Sequence, residues 1–287
     1  MQSNADPTIR TFLAPDGKEL AYVAFSPAGE AIPQAVFLYL HGIESHAGWF
    51  RDAAELLRLR GYTVYCLDRR GSGLNRENRG HPSGDVPPDA DLLDDLHAWI
   101  SHLRRQHPTH SFFLTGLSWG GKYALVYDFE HPGMVEGLVL ITPGIRPKVG
   151  LSPGEKLAVF RDAIFAPSRP HRIPIRPEMF TSTPRHLDFI RNDPLRLHAV
   201  SARFLWQSRR MDRLLHQEEK SDHAPVLLFL AGKDRIIDNE ATRRFFARRP
   251  GGGVKILEYA DQTHSIQLDA PERLTGDILA WVTGSHR

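Results

Sequence analysis

The amino-acid sequence predicts an α/β fold in which a mostly parallel, doubly wound sheet carries an inserted helical lid. Apolar runs of strand length alternate along most of the chain with segments whose apolar residues recur at helical spacing. This alternation is typical of a parallel sheet covered by helices. It stops between residues 145 and 220, where eight prolines occur and no convincing buried strand is found. We therefore predict a core of residues 1–144 and 221–287 and a lid of residues 145–220.

The predicted strands begin with a hairpin. Two β-rich runs, at residues 9–13 and 20–25, flank the pair Asp16 and Gly17, which is a strong turn signal between strands. The next predicted strand, residues 35–40, is a continuous apolar run, as expected for a strand buried on both faces of a parallel sheet. The later predicted strands are residues 62–67, 111–113, 135–141, 225–231 and 254–259.

Helices are predicted between these strands. The helical pattern at residues 49–60 stops at Gly61, and glycine commonly ends a helix. The apolar stripe at residues 92–103 is expected to be capped by Asp89 and ended by Pro108. Two further helical patterns cover residues 200–215, inside the predicted lid, and residues 241–249, with Asp238 as the expected cap.

Composition and charge exclude several classes of protein. With 36 basic and 34 acidic residues the net charge is +2, which argues against a nucleic-acid partner. The predicted lid carries 15 Lys and Arg against 8 Asp and Glu, so it is basic and the body is acidic. A solvated helical surface explains this charge, but a basic lid also suits an anionic substrate or transient contact with an acidic lipid surface.

Further patterns bear on location and metals. Residues 1–7 lack the apolar core of a signal peptide, and no apolar run is long enough to span a membrane, so we expect a soluble, cytoplasmic protein. The single cysteine, Cys66, lies in a buried-strand pattern and is expected to fill the core. The histidines form neither a His-Glu-x-x-His motif nor a Cys/His cluster, so no metal site is predicted.

One stretch combines a strand, a sharp turn and a helix around a serine. Gly116, Ser118 and Gly120 form the pattern G-x-S-x-G, in which the serine occupies a strained turn and the glycines remove side chains that would collide there. The first amides of the following helix favour negative charge on whatever the serine attacks. The pattern is short, and an ordinary serine in a glycine-rich turn is the alternative interpretation.

Two later strand-end loops supply the partners that a nucleophilic serine needs. Asp234 follows the strand at residues 225–231, whereas its competitor Asp238 is better explained as a helix cap. His264 follows the strand at residues 254–259. A histidine must remove the serine proton, and a carboxylate must fix the tautomer of that histidine. The order Ser118, Asp234, His264, each just after a predicted strand, therefore predicts a catalytic triad.

These motifs resemble those of the α/β-hydrolases, and most closely the branch of monoacylglycerol lipases, lysophospholipases and serine aminopeptidases. The resemblance covers nearly the whole body and is weak across the lid. It implies an oxyanion hole formed by the backbone amides of Ile43 and Trp119, with His41 and Asp68 as supports of the oxyanion loop. It also implies that no cofactor is needed. The matching segments are residues 41–46, 68–73, 116–120 and 232–234, together with His264.

The resemblance favours a hydrolase of lipid-like carboxylic esters, such as monoacylglycerols or lysolipids, with a small-molecule acyl ester as the partner. The alternatives are an aminopeptidase or amidase, a thioesterase, an acyltransferase, or a non-catalytic ligand-binding protein on the same fold. Glu44 is a candidate anchor for a substrate amine. Aromatic and apolar lid residues either line a pocket for the acyl group or form the core of the lid itself. They are Phe160, Phe165, Met179, Phe180, Phe189, Phe204, Leu205 and Trp206.

Overall fold

An eight-stranded sheet forms the centre of the molecule in the computed structural model, which describes residues 7–27, 34–77, 80–215, 223–249 and 253–284. The strand order is β1-β2-β4-β3-β5-β6-β9-β10. β2 pairs antiparallel with β1 and β4, and the remaining neighbours pair in parallel. The strands are β1 Thr8–Leu13, β2 Glu19–Phe25, β3 Val36–Leu40, β4 Thr63–Leu67, β5 Phe112–Leu117, β6 Gly137–Ile141, β9 Val226–Ala231 and β10 Val254–Tyr259.

Helices cover both faces of this sheet, as the alternating pattern predicts. Along β3, Leu38 packs into the core layer on one face, while its neighbours Phe37 and Tyr39 pack into the layer on the other face. Apolar side chains are favoured on both faces of the central strands because both layers exclude water. The body helices are α1 Arg51–Leu59, α2 Leu92–Gln106, α3 Trp119–Glu130, α7 Asn239–Phe246, α8 Ile266–Asp269 and α9 Pro271–Gly284.

The chain between β6 and β9 forms the mostly helical insertion that the sequence predicts. It also contains a short antiparallel strand pair that the pattern did not indicate, since strands of three residues leave little periodicity. The predicted boundary between residues 220 and 221 lies outside the described residues, as do residues 1–6. The insertion contains α4 Pro153–Phe165, β7 Pro170–Arg172, α5 Pro184–Asn192, β8 Ala199–Ser201 and α6 Ala202–Leu214.

The predicted cap of α2 is wrong. The N-cap is Asp91, which has an extended backbone and whose side-chain Oδ1 accepts the Leu93 amide at 2.8 Å. Asp89 lies in the preceding turn, where the Ala90 amide donates to the carbonyl of Pro87. Asp89 and Asp91 both precede the first residue of this helix, and the sequence pattern does not indicate which of them has the extended backbone of a cap. Asp238 caps α7 as predicted, and Cys66 is fully buried.

None of the described helices is long and apolar enough to cross a membrane.

Candidate active site

Ser118 occupies the strained turn that the G-x-S-x-G pattern predicts, between β5 and α3. Its φ of 53° lies in the left-handed region that side chains rarely adopt. A Cβ on Gly120 would come within 2.2 Å of the Leu40 carbonyl oxygen, and one on Gly116 would lie 2.4 Å from the carbonyl oxygen of Gly120. Both glycines are therefore required by close backbone contact, which confirms the predicted local structure.

Asp234 and His264 form a buried hydrogen-bonded pair at the ends of β9 and β10. The Nδ1 of His264 lies 2.9 Å from Asp234 Oδ2. Asp234 Oδ1 accepts the amides of Ile236 at 2.7 Å and Ile237 at 2.9 Å. Burial raises the pKa of Asp234, but the interactions with His264 and the two amides outweigh burial and hold this pKa below its ordinary value. Asp234 is thus an ionised acceptor that places the His264 proton on Nδ1.

The other ring nitrogen of His264 is left able to accept a proton. This nitrogen, Nε2, is buried and has no hydrogen-bond partner among the residues that the structure describes. Thr142 joins the His264 loop to the serine turn, because its Oγ1 donates to the His264 carbonyl at 3.0 Å. The amide of Ser118 in turn donates to Ile141, the residue before Thr142, at 2.9 Å. The strand ends thereby hold Ser118, Asp234 and His264 in one region of the sheet edge.

The two amides predicted to form an oxyanion hole belong to Ile43, in the loop after β3, and to Trp119, directly after Ser118. A Cβ on Gly42, the residue before Ile43, would be 3.4 Å from Ser118 Cβ, so the loop after β3 runs against the serine. Trp119 is the first residue of α3, and its amide lies beyond the reach of the helical hydrogen-bond ladder. No backbone acceptor for the Ile43 or Trp119 amide occurs in the described parts of the chain.

His41 and Asp68 support the loop that carries Ile43. The Nε2 of His41 accepts the Arg69 amide at 3.2 Å, so its Nδ1 carries the proton and donates to the Gly42 carbonyl at 2.7 Å. Burial, reinforced by the nearby charge of Arg69, lowers the pKa of His41 well below its ordinary value and keeps the ring neutral. Asp68 accepts the Ala47 amide at 2.7 Å, which ties the end of the loop to β4.

Ser118 lies on the wall of a largely apolar cavity of about 190 Å³. The body contributes Ile43 and Trp119 to this wall, and the insertion contributes most of the remaining lining. Of the eight lid residues considered from the sequence, Leu205 alone belongs to it. The sequence analysis missed the other lining residues of the insertion, although the alternation in Ile173-Pro174-Ile175 was a weak signal. They are Pro147, Val149, Gly150, Leu151, Arg172, Ile173, Pro174, Ile175 and Val200.

None of the three aromatic residues predicted for substrate binding, Phe180, Phe204 and Trp206, lines this cavity. Phe204 is 1% exposed and packs 5.0 Å from the Trp119 ring, between lid and body. Trp206 is 42% exposed on the outer side of α6. Successive residues of a helix turn by about 100°, so only Leu205 of this run faces the cavity. Phe180 packs against Trp49 and lies 5.8 Å from His264.

Glu44 does not line the cavity either, contrary to its predicted role as an anchor for the amine of a substrate. Both of the guanidinium donors Nε and Nη2 of Arg196 bond to Glu44 Oε2, at 2.8 and 2.6 Å. Burial raises the pKa of Glu44 to about 7, because lost hydration outweighs the attraction of Arg196. The carboxylate therefore joins the oxyanion loop to the insertion and is not available to a substrate amine.

No group of three His, Cys, Asp or Glu side chains able to hold a metal ion is present within the described ranges.

The chain is similar to several known hydrolases. The model of the family described as serine aminopeptidase, S33, matches residues 31–271. A monoacylglycerol lipase of Mycolicibacterium smegmatis is 24% identical over 281 residues, 96% of each chain. Lysophospholipase L2 of Escherichia coli is 25% identical over 227 residues, 74% of this chain and 66% of that protein. A monoglyceride lipase structure from Saccharomyces cerevisiae superposes with a TM-score of 0.80 at 19% identity, covering 97% of this chain and 96% of the other.

Proposed function

Because the chain belongs to the serine aminopeptidase S33 family and has the α/β-hydrolase fold, we propose that it hydrolyses lipid-like carboxylic esters through an acyl-enzyme on Ser118. One observation carries the proposal. His264 is hydrogen-bonded to an ionised carboxylate on Nδ1, while its Nε2 has no partner among the described residues, at the sheet edge where Ser118 faces an apolar cavity.

The proposed reaction has two halves. His264 Nε2 takes the hydroxyl proton as Ser118 Oγ attacks the ester carbonyl carbon, and the amides of Ile43 and Trp119 stabilise the negative oxygen. His264 then returns the proton to the leaving alcohol as the ester bond breaks, which leaves the acyl group on Ser118. A water molecule, deprotonated by His264, attacks the acyl carbon; the bond from this carbon to Ser118 Oγ then breaks, His264 returns the proton to Oγ, and the carboxylic acid leaves. Asp234 stays ionised and stabilises the imidazolium in both halves.

The shape of the cavity defines the acyl group. Its wall is mainly aliphatic, so it favours burial of a hydrocarbon chain and provides few hydrogen-bond partners for a polar chain. Its volume of about 190 Å³ is below the range of about 300–1,000 Å³ usual for ligand pockets. We therefore expect short and medium acyl chains to be turned over best, and longer chains to require displacement of the insertion. The predicted lid is thus proposed to move away from the cavity when a longer acyl chain binds.

The aminopeptidase alternative has less support. An aminopeptidase needs a negative group for the substrate amine, and Glu44 is already paired with Arg196. The charged side chains of the described cavity wall, Lys122 and Arg172, are both cationic. A small-molecule ester, with a neutral or anionic head group, is the better match to this charge.

We also propose that the insertion makes transient contact with a lipid surface. Four apolar residues of α4 are more than half exposed, and Lys156 and Arg161 lie among them on the same helix. Replacing Phe160 by Ser should reduce co-sedimentation with anionic phospholipid vesicles, whereas Leu59→Ser, an exposed apolar position of the body, should not. A cytoplasmic location stays a prediction from sequence. The exposed apolar residues of α4 are Leu157, Phe160, Ile164 and Phe165.

The proposal is tested by hydrolysis of p-nitrophenyl esters from acetate to palmitate beside a panel of amino-acid anilides, with Ser118→Ala as the blank. We expect ester turnover that declines at the long chains and falls by roughly 10⁴-fold or more in the variant. Turnover of anilides without esters would contradict the ester assignment. Ester turnover that survives the Ser118→Ala change would contradict the nucleophile.

A further inference from the structure

Arg69 is a buried arginine beside the oxyanion loop, and the proposed reaction leaves it without a role. The residue is 3% exposed, and its Nη2 donates to the carbonyl of Ile43 at 2.6 Å. Its guanidinium carbon lies 5.3 Å from the Trp119 ring centroid and 4.6 Å from that of Phe204. Its Nε and Nη1 are buried and have no hydrogen-bond partner among the residues described.

A purely structural role explains this environment poorly. Burying a guanidinium with unpaired donors costs free energy of folding, and a methionine would fill the same space without that cost. The neighbouring Arg70 shows the contrast, because it is paired with both Asp16 and Asp95. Burial lowers the pKa of Arg69 to about 9 against the opposing effect of Asp68, so the group is still charged at neutral pH.

The contacts of Arg69 converge on the two residues that supply the oxyanion donors. Ile43 is held through its carbonyl, and Trp119 is held through its ring. These residues are 76 positions apart in sequence and follow the ends of the neighbouring strands β3 and β5, so a contact shared by both residues adds to the strand pairing in fixing the distance between their amides. Phe204, from α6 of the insertion, covers the same guanidinium and places the lid in contact with this group.

We propose that Arg69 is a positioning residue that fixes the Ile43 and Trp119 amides relative to each other, and whose charge favours the oxyanion. This inference rests on the proposed serine-hydrolase function. An error of about 1 Å in such a site can cost about 10²-fold in rate. Arg69→Met should therefore lower kcat by about 10²-fold and change KM by less than about threefold. Arg69→Lys keeps the charge but loses the planar donors, and we expect a loss of about tenfold.

The experiment compares Arg69→Met and Arg69→Lys with Arg104→Met. Arg104 is the control, because it also donates to a backbone carbonyl, at 2.9 Å, and lies 4.8 Å from an aromatic ring centroid, but it is partly exposed, pairs with Glu136 and belongs to α2. The measurements are kcat and KM for p-nitrophenyl butyrate and the affinity for an alkyl trifluoromethyl ketone, which forms a tetrahedral adduct with an oxyanion. Circular dichroism and thermal unfolding establish that each variant is folded.

The expected result is a parallel loss of kcat and ketone affinity in both Arg69 variants, with Arg104→Met close to the wild type. Folded Arg69 variants with kcat and ketone affinity within threefold of the wild type would overturn the inference. If Arg69→Met does not fold, the comparison of Arg69→Lys with the control decides the question. A wild-type protein that neither turns over esters nor binds the ketone would instead contradict the proposed function.

Discussion

Replacing Asp234 by Asn tests the geometry of the candidate site most specifically. Asp234 Oδ1 already accepts the amides of Ile236 and Ile237, so the carbonyl oxygen of an asparagine keeps this position. The NH₂ group must then face His264 Nδ1 and donate to it, which moves the ring proton to Nε2. In that tautomer His264 cannot accept the proton of Ser118. We expect kcat to fall by about 10⁴-fold, about 5 kcal/mol in activation free energy.

The assay is kcat for p-nitrophenyl butyrate, with circular dichroism to verify folding. Asp238→Asn is the matched control, because Asp238 caps α7 through the Ala241 amide at 2.9 Å. Asparagine caps helices as well as aspartate, so this variant should stay within about twofold of the wild type. Retention of a tenth of the wild-type kcat by Asp234→Asn, or a larger loss in Asp238→Asn, would show that Asp234 does not orient His264.

Three further predictions concern packing and charge. Gly120→Ala should lower the free energy of unfolding by about 1–3 kcal/mol and reduce ester turnover, because the new Cβ collides with the Leu40 carbonyl oxygen. Urea unfolding and kcat measure these effects, and wild-type values of both would contradict this contact. Arg196→Met at pH 8 should destabilise the fold by about 3–5 kcal/mol by leaving the Glu44 carboxylate unpaired, and adding Glu44→Gln should restore part of the loss. Burial raises the Glu44 pKa to about 7, so the folded state binds this proton more tightly than the unfolded chain, and stability should fall by about 3 kcal/mol between pH 4.5 and pH 8. In Glu44→Gln this part of the pH dependence should be lost, and a persistent slope would show that another group causes it.

The sequence was sufficient for the parts of the fold and site that depend on local patterns. Apolar runs predicted the central strands, because burial on both faces favours apolar side chains. The serine turn was predictable because Gly116 and Gly120 are demanded by backbone contacts within and beside the motif. Asp238 was separable from Asp234 since only Asp238 precedes a helix at capping distance.

The sequence was insufficient where contacts join distant segments. Glu44 and Arg196 are 152 positions apart, and nothing in either neighbourhood indicates that they pair. The packing of α6 on the body determines in which directions Phe204, Leu205 and Trp206 point. Helical periodicity in the sequence does not specify this packing. Arg69 lies in a loop whose pattern resembles a known motif, but its contact with Phe204 requires the insertion to be in place.

The most direct test of the central claim is mass spectrometry of protein quenched with acid during turnover of p-nitrophenyl butyrate. An acyl-enzyme on Ser118 predicts a mass increase of one butyryl group, located on the peptide that contains Ser118. The adduct should form far more slowly in Asp234→Asn, in which His264 cannot accept the Ser118 proton, and it should be absent from Ser118→Ala. A butyryl group on another residue of the active wild type, or undiminished turnover by Ser118→Ala, would contradict the account.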